Sequence, residues 1–107
     1  MRQYTNESQT AKLIELGFEK PRVAMPKFEW KDGEPQFHYT IGELIEMLPD
    51  VVESEDSEYA TLQMYFDLFN WIIEYTGVEK TEYATSAIEL IDALYDMIVK
   101  LKEEGVI

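Results

Sequence analysis

The run YATLQMYFDLFNWIIEYTG, Tyr59 to Gly77, constrains this chain more than any other. Wound as a helix from Ala60 to Thr76, it would be apolar nearly all round, which suits only an element enclosed on every side. Drawn out as strands, it separates cleanly. Ala60, Leu62, Met64 and Phe66 share one face, opposite Tyr59, Thr61, Gln63 and Tyr65. After Asp67 the phase flips, and Phe69, Trp71, Ile73 and Tyr75 become the apolar set against Asn70, Glu74 and Thr76. A two- or four-residue loop produces that flip, because residues paired across it have opposite parity. Aromatic and β-branched content favours the hairpin. The turn lacks glycine, and a helix stays as the alternative.

Three capping boxes frame the helices. Asn6 and Gln9 open TNESQTAKLIELGF, where Leu13, Ile14 and Leu16 supply an apolar side and Gly17 the stop. Thr40 and Glu43 open YTIGELIEMLPD, with Ile41, Leu44, Ile45 and Leu48 as the stripe and Pro49 as the end. Ser86 and Glu89 open the closing helix. Ala87, Leu90, Ile91, Leu94, Ile98 and Leu101 line one side of it, Glu89, Asp92, Asp96 and Lys100 the other, and Gly105 ends it. Between the last two lies DVVESEDSE, read as a polar, acidic connection.

The stretch KFEWKDGEPQFHYT, Lys27 to Thr40, holds the only histidine and reads as a second hairpin centred on Asp32-Gly33. Lys31 then faces Glu34, Glu29 faces Gln36 and Lys27 faces His38, while Trp30 faces Pro35 and Phe28 faces Phe37. Pro35 lacks an N–H, so its strand is expected to lie at an edge or to begin irregularly. The predicted fold is α+β: a small antiparallel sheet from two hairpins with helices on one face, in the order α-ββα-ββα, forming one domain over residues 1–107.

Composition narrows the chemistry. Without cysteine there are no disulfides and no thiolate metal sites. No N-terminal apolar run suggests a leader, and no segment approaches the ~20 apolar residues that cross a bilayer. A cytoplasmic protein is expected. The net charge is −13, and no Lys or Arg falls between Lys31 and Lys80, an interval holding twelve acids. That field repels phosphates and anionic membranes and attracts a basic partner.

YTIGELIEMLPD and LIDALYDMIVKLKEEGVI resemble a loose family of small uncharacterised proteins encoded in Bacteroides genomes, their phages and integrated mobile elements. That family pairs a helix start like YSIGxLIELLP, followed by two strands, with a closing helix like DALxxMIxWLKE. Val99 and Lys100 stand where it carries an aromatic. The shared positions are caps and core, so the resemblance implies a phage or mobile-element accessory protein and brings no catalytic residues.

A lone His38 facing Lys27 lacks the partners of a general base or a metal site and reads as a surface hairpin residue. Asp50, Glu53, Glu55, Asp56 and Glu58 lack the glycine and spacing of a calcium loop. No phosphate loop or nucleophile motif occurs, and no cofactor is expected. The residues expected to meet a partner are Glu53, Glu55, Asp56 and Glu58 of the acidic loop, with Tyr59 and Tyr65 on the more polar strand face. The expected function is therefore non-catalytic protein interaction, with a protein of basic surface as partner. The alternative is an acidic inhibitor that mimics nucleic acid to occupy a DNA-binding protein.

Overall fold

The first two helices open by the same device. In α1, Glu7–Glu15, the Asn6 side chain accepts the Gln9 N–H at 2.7 Å while Gln9 Oε1 accepts the Asn6 N–H at 3.0 Å. In α2, Ile41–Met47, Thr40 Oγ1 accepts the Glu43 N–H and Glu43 Oε1 accepts the Thr40 N–H, both at 3.1 Å. Each box satisfies two of the N–H groups that a helix start leaves without partners. The glycine stops also form. Gly17, at φ +97°, lets its own N–H reach Ile14 O and the Phe18 N–H reach Leu13 O. Gly105 ends α3, Leu90–Glu103, in the same way, with bonds to Lys102 O and from Val106 to Leu101 O.

The computed structural model describes residues 1–53 and 58–107. Its sheet is a four-stranded antiparallel meander, β1 Val51–Glu53, β2 Tyr59–Asp67, β3 Asn70–Thr76 and β4 Thr81–Ala87, in spatial order β1-β2-β3-β4. The β2–β3 hairpin sets Leu62 opposite Tyr75, Met64 opposite Ile73 and Phe66 opposite Trp71, so the alternation legible in the sequence is the alternation of faces. Without glycine, the two-residue loop forms by placing Leu68 at φ +51°, a left-handed conformation uncommon for leucine. β4 continues the inner face with Tyr83, Thr85 and Ala87 opposite Tyr75, Ile73 and Trp71.

Helix α3 lies across β3 and β4, and α2 packs on α3. Leu13, Leu44, Val52, Ala60, Ile73 and Tyr75 meet Ile91, Leu94, Met97, Ile98 and Leu101 in one buried cluster. Tyr75 is enclosed there with its hydroxyl donating to Pro49 O at 2.7 Å. Among the described residues no helix is long and apolar enough to cross a membrane.

The α+β class and the antiparallel sheet stand, and three details differ from the sequence reading. The Asp32-Gly33 turn forms, with both residues at positive φ and Lys31 bridging Glu34, yet the ladder goes no further. Lys27–Glu29 is a single 3₁₀ turn, Phe37 bridges Ala24 in place of Phe28, and Trp30 Nε1–H folds back onto Met25 O at 2.9 Å. Pro26 fixes the φ of a turn start, Lys27–Glu29 curls out of line, and the Met25 N–H donates to Gln36 O at 2.8 Å where the ladder would have run, so residues 27–40 contribute no strand to the sheet. Second, Val51–Glu53 in the acidic connection is strand β1, its Val52 buried in the core. Third, Ser86 and Ala87 belong to β4, so the Ser86–Glu89 box does not form; Glu89 precedes α3 without a side-chain cap. Pairing with β3 satisfies the 81–87 backbone and fills the inner face, which outweighs one local cap.

Candidate interaction surface

His38 is not a hairpin surface residue opposite Lys27. It is half-buried, with Nδ1 2.7 Å from Thr5 O and 3.1 Å from Thr10 Oγ1. A carbonyl only accepts, so Nδ1 carries the proton. The Tyr39 N–H donates to Thr5 Oγ1 and Thr10 Oγ1 donates to Asn6 O; the 2.7 Å contact between the two threonine hydroxyls therefore runs from Thr5 to Thr10. This directed chain ties the N-terminal segment, which bridges Thr40 through Tyr4, to α1 and to the approach to α2. Beside it lies an open hollow of about 620 Å³ that includes Tyr4, Met25, Phe28 and His38 in its wall. The cations there are already engaged, Arg2 with Asp92 and Lys31 with Glu7 at 3.2 Å. The histidine is a tie between segments.

Glu43 does double duty. It is nearly buried, caps α2, and accepts the Arg22 N–H on its second oxygen at 3.2 Å, fastening the 19–22 segment to the helix. Burial, followed by the negative charge of Glu43, raises the pKa of the neighbouring Tyr39 hydroxyl, which donates to Glu19 O. Among the described residues, no group of three His, Cys, Asp or Glu is arranged to hold a metal ion.

The residues expected to meet a partner divide into two places. Glu53 and Tyr59 are directly opposed across β1 and β2 on the face turned away from α3, with exposed Glu58 adjacent in sequence. Tyr65 shares that outer face but stands six positions along β2, about 20 Å away at 3.3 Å per residue. Its neighbour there is Glu74, which hydrogen-bonds it; partial burial, then that carboxylate and Asp67, raises the Tyr65 pKa. Glu55 and Asp56 lie outside the described residues.

A third surface escaped the sequence reading. Beyond the end of the helix layer the β2–β3 hairpin runs on bare: Met64 is 40% exposed, Phe66 55%, Leu68 80% and Phe69 77%. Phe66 meets Trp71 at 5.5 Å between ring centres, and Ile88 is exposed after β4. The alternation puts Met64, Phe66 and Phe69 on the apolar set, but the structure leaves all three uncovered. Length was the available signal: nine residues of β2 extend about 30 Å, whereas the fourteen of α3 extend about 21 Å. Comparison with protein-family models, with curated proteins and with solved structures finds no match.

Proposed function

We propose that the protein is a non-catalytic interaction protein that takes a partner of basic surface on its outer sheet face, at Glu53, Glu58 and Tyr59. One observation supports this above the others. An aromatic ring 69% exposed stands opposite one carboxylate across the β1–β2 pair and next in sequence to another. Tyrosine offers apolar area at small entropic cost and a hydroxyl at its tip, and carboxylates at its rim select lysine and arginine. The charge map adds to it, since the acid-rich interval from Lys31 to Lys80 contains the whole of β1, β2 and β3. The resemblance of the α2 and α3 stretches to small proteins of Bacteroides phages and mobile elements makes an accessory role in such an element the setting of this reading.

The test is capture from a Bacteroides lysate on the immobilised protein, at low and high salt. A saturable partner is expected at low salt, held more weakly by Tyr59→Ser and by Glu53→Gln/Glu58→Gln, with part of the binding surviving high salt through the ring. A partner lost entirely in high salt and displaced by duplex DNA would instead identify nucleic-acid mimicry. Undiminished binding to all the variants would remove this face from consideration.

A further inference from the structure

The bare end of the hairpin also has an open backbone edge. β1 pairs with β2 from Tyr59 to Thr61, and the Leu62 N–H donates to Asp50 O. Among the described residues nothing pairs with Gln63–Asp67 on that side. The strand period of two settles which groups are free. Leu62 directs its N–H to that edge, so Met64 and Phe66 do as well, while Gln63, Tyr65 and Asp67 direct theirs into the ladder with β3. Two N–H and two C=O groups thus project from an exposed apolar strand.

We infer that this edge pairs with the same edge of a second copy of the chain, β2 against β2, antiparallel about a two-fold axis through Tyr65. In that register Met64 of each copy pairs with Phe66 of the other, giving four backbone hydrogen bonds and an eight-stranded sheet. The axis stands perpendicular to the sheet, so faces are preserved. Met64 and Phe66 meet their counterparts on the helix side, and the two Tyr65 rings meet on the outer side. Asp67 falls opposite Gln63, so no carboxylate directly opposes another in the ladder. Pairing ends where β1 begins.

Charge is what favours a second copy over the basic partner proposed above. From Tyr59 to Ile73 the only ionised side chain is Asp67. The helix-side face of this edge, Met64 and Phe66 with Leu68 and Phe69 at the turn, holds no carboxylate for a basic protein to meet; Asp67 and the Glu74 that bonds Tyr65 lie on the outer face, and two chains of net charge −13 approach most closely where charge is absent. The edge also lacks the usual guards against pairing, since it has no lysine, proline or bulge. The opposite edge, β4, carries Glu82 and a register shift beside Thr76. With aromatic side chains of about 150–250 Å² each, the exposed parts of Phe66, Phe69, Tyr65, Leu68 and Met64 amount to on the order of 500 Å² per copy. Two copies then offer about 1,000 Å², the lower limit for a specific interface, which fits a weak reversible dimer.

Sedimentation equilibrium over a hundredfold range of concentration, with amide exchange read at both ends, tests this on the intact chain. The mass is expected to rise from monomer towards dimer, more steeply at higher salt as repulsion is screened. The Met64 and Phe66 amides should slow with concentration while those of Ala84 and Ser86 do not. Tyr65→Glu, which sets two like charges face to face on the axis, should weaken the dimer at least tenfold. Met64→Pro, which deletes an edge N–H that β3 does not use, should do the same; if that variant fails to fold, Tyr65→Glu alone decides. A monomer at every concentration overturns the inference. So does a dimer that protects Ala84 and Ser86 instead, or one that Tyr65→Glu leaves intact. The Tyr59 variants leave this edge untouched, so loss of the basic partner and loss of the dimer are separable results.

Discussion

Two ends of one hairpin carry the same kind of sequence and meet opposite fates. At its base Ile73 and Tyr75 are fully enclosed beneath α3, and Tyr75 hands its hydroxyl to Pro49 O. At its tip Phe66, Leu68 and Phe69 continue the apolar run in open solvent. The period of two assigns a side chain to a face; it says nothing about whether anything covers that face. Cover depends on the length and position of a helix drawn from elsewhere in the chain. The base is thus a folding core, and the tip is surface available for association.

The largest expected effect breaks the base. Leu94 is fully buried in α3, and Leu94→Ala should cost about 2–5 kcal/mol in denaturant unfolding through lost transfer energy and a residual cavity. A loss under about 1 kcal/mol would mean the base is no better packed than the tip. Next comes alkali. Burial, and then the charge of Asp50, pushes the Tyr75 hydroxyl up to about 12 from its ordinary 10. A raised folded-state pKa favours the fold fully below pH 10, and that stability is lost as pH climbs through 12. The loss should be about 2–3 kcal/mol. Tyr75→Phe should remove that share of the alkaline slope while costing about 1 kcal/mol at pH 7 for the Pro49 hydrogen bond. An unchanged slope would show that Tyr75 is solvated in the folded protein.

A smaller effect belongs to the polar chain behind the core. His38→Ala leaves Thr5 O without its imidazole donor in a half-buried site, and should cost about 1–2 kcal/mol. Read as a surface hairpin residue, His38 would have cost less than about 0.5 kcal/mol. Guanidine titrations of wild type and variant separate the two values.

What the sequence made legible was local. Asn6–Gln9 and Thr40–Glu43 signal their helices because each cap is complete within four residues, and Gly17 and Gly105 because a left-handed stop demands little else. Where a local signal met a longer-range alternative, the alternative won. Ser86-x-x-Glu89 has the form of a cap, but Thr81–Ala87 pairs with a β3 that only the folded chain presents. At residues 27–40 the turn pair is correct, but the 3₁₀ turn that follows Pro26 takes Lys27–Glu29 out of the ladder and Met25 bonds Gln36 instead. Tyr59 and Tyr65 lie on the outer face as the alternation says, but it could not tell which carboxylate stands beside each, Glu53 from β1 and Glu74 from β3, because that depends on strand pairing.

The smallest expected effect inverts the sign of the first. Leu68 has a large apolar side chain, as Leu94 does, but it is 80% exposed and sits at φ +51° in a two-residue turn. A leucine in the left-handed region costs about 1–2 kcal/mol relative to its relaxed backbone, and asparagine adopts that region far more readily. Leu68→Asn removes strain and forfeits almost no burial, so the monomer should gain about 0.5–1 kcal/mol. The measurement belongs at the dilute end of the concentration range, where self-association does not contribute. Any dimer at the concentrated end should weaken, because the exposed Leu68 side chain is part of the apolar area it buries although Leu68 lies outside the paired backbone of Gln63–Asp67. A loss of more than about 1 kcal/mol in dilute solution would place Leu68 against a partner within its own chain. The tip would then belong to the core, and the contrast between the two ends of the hairpin would fail.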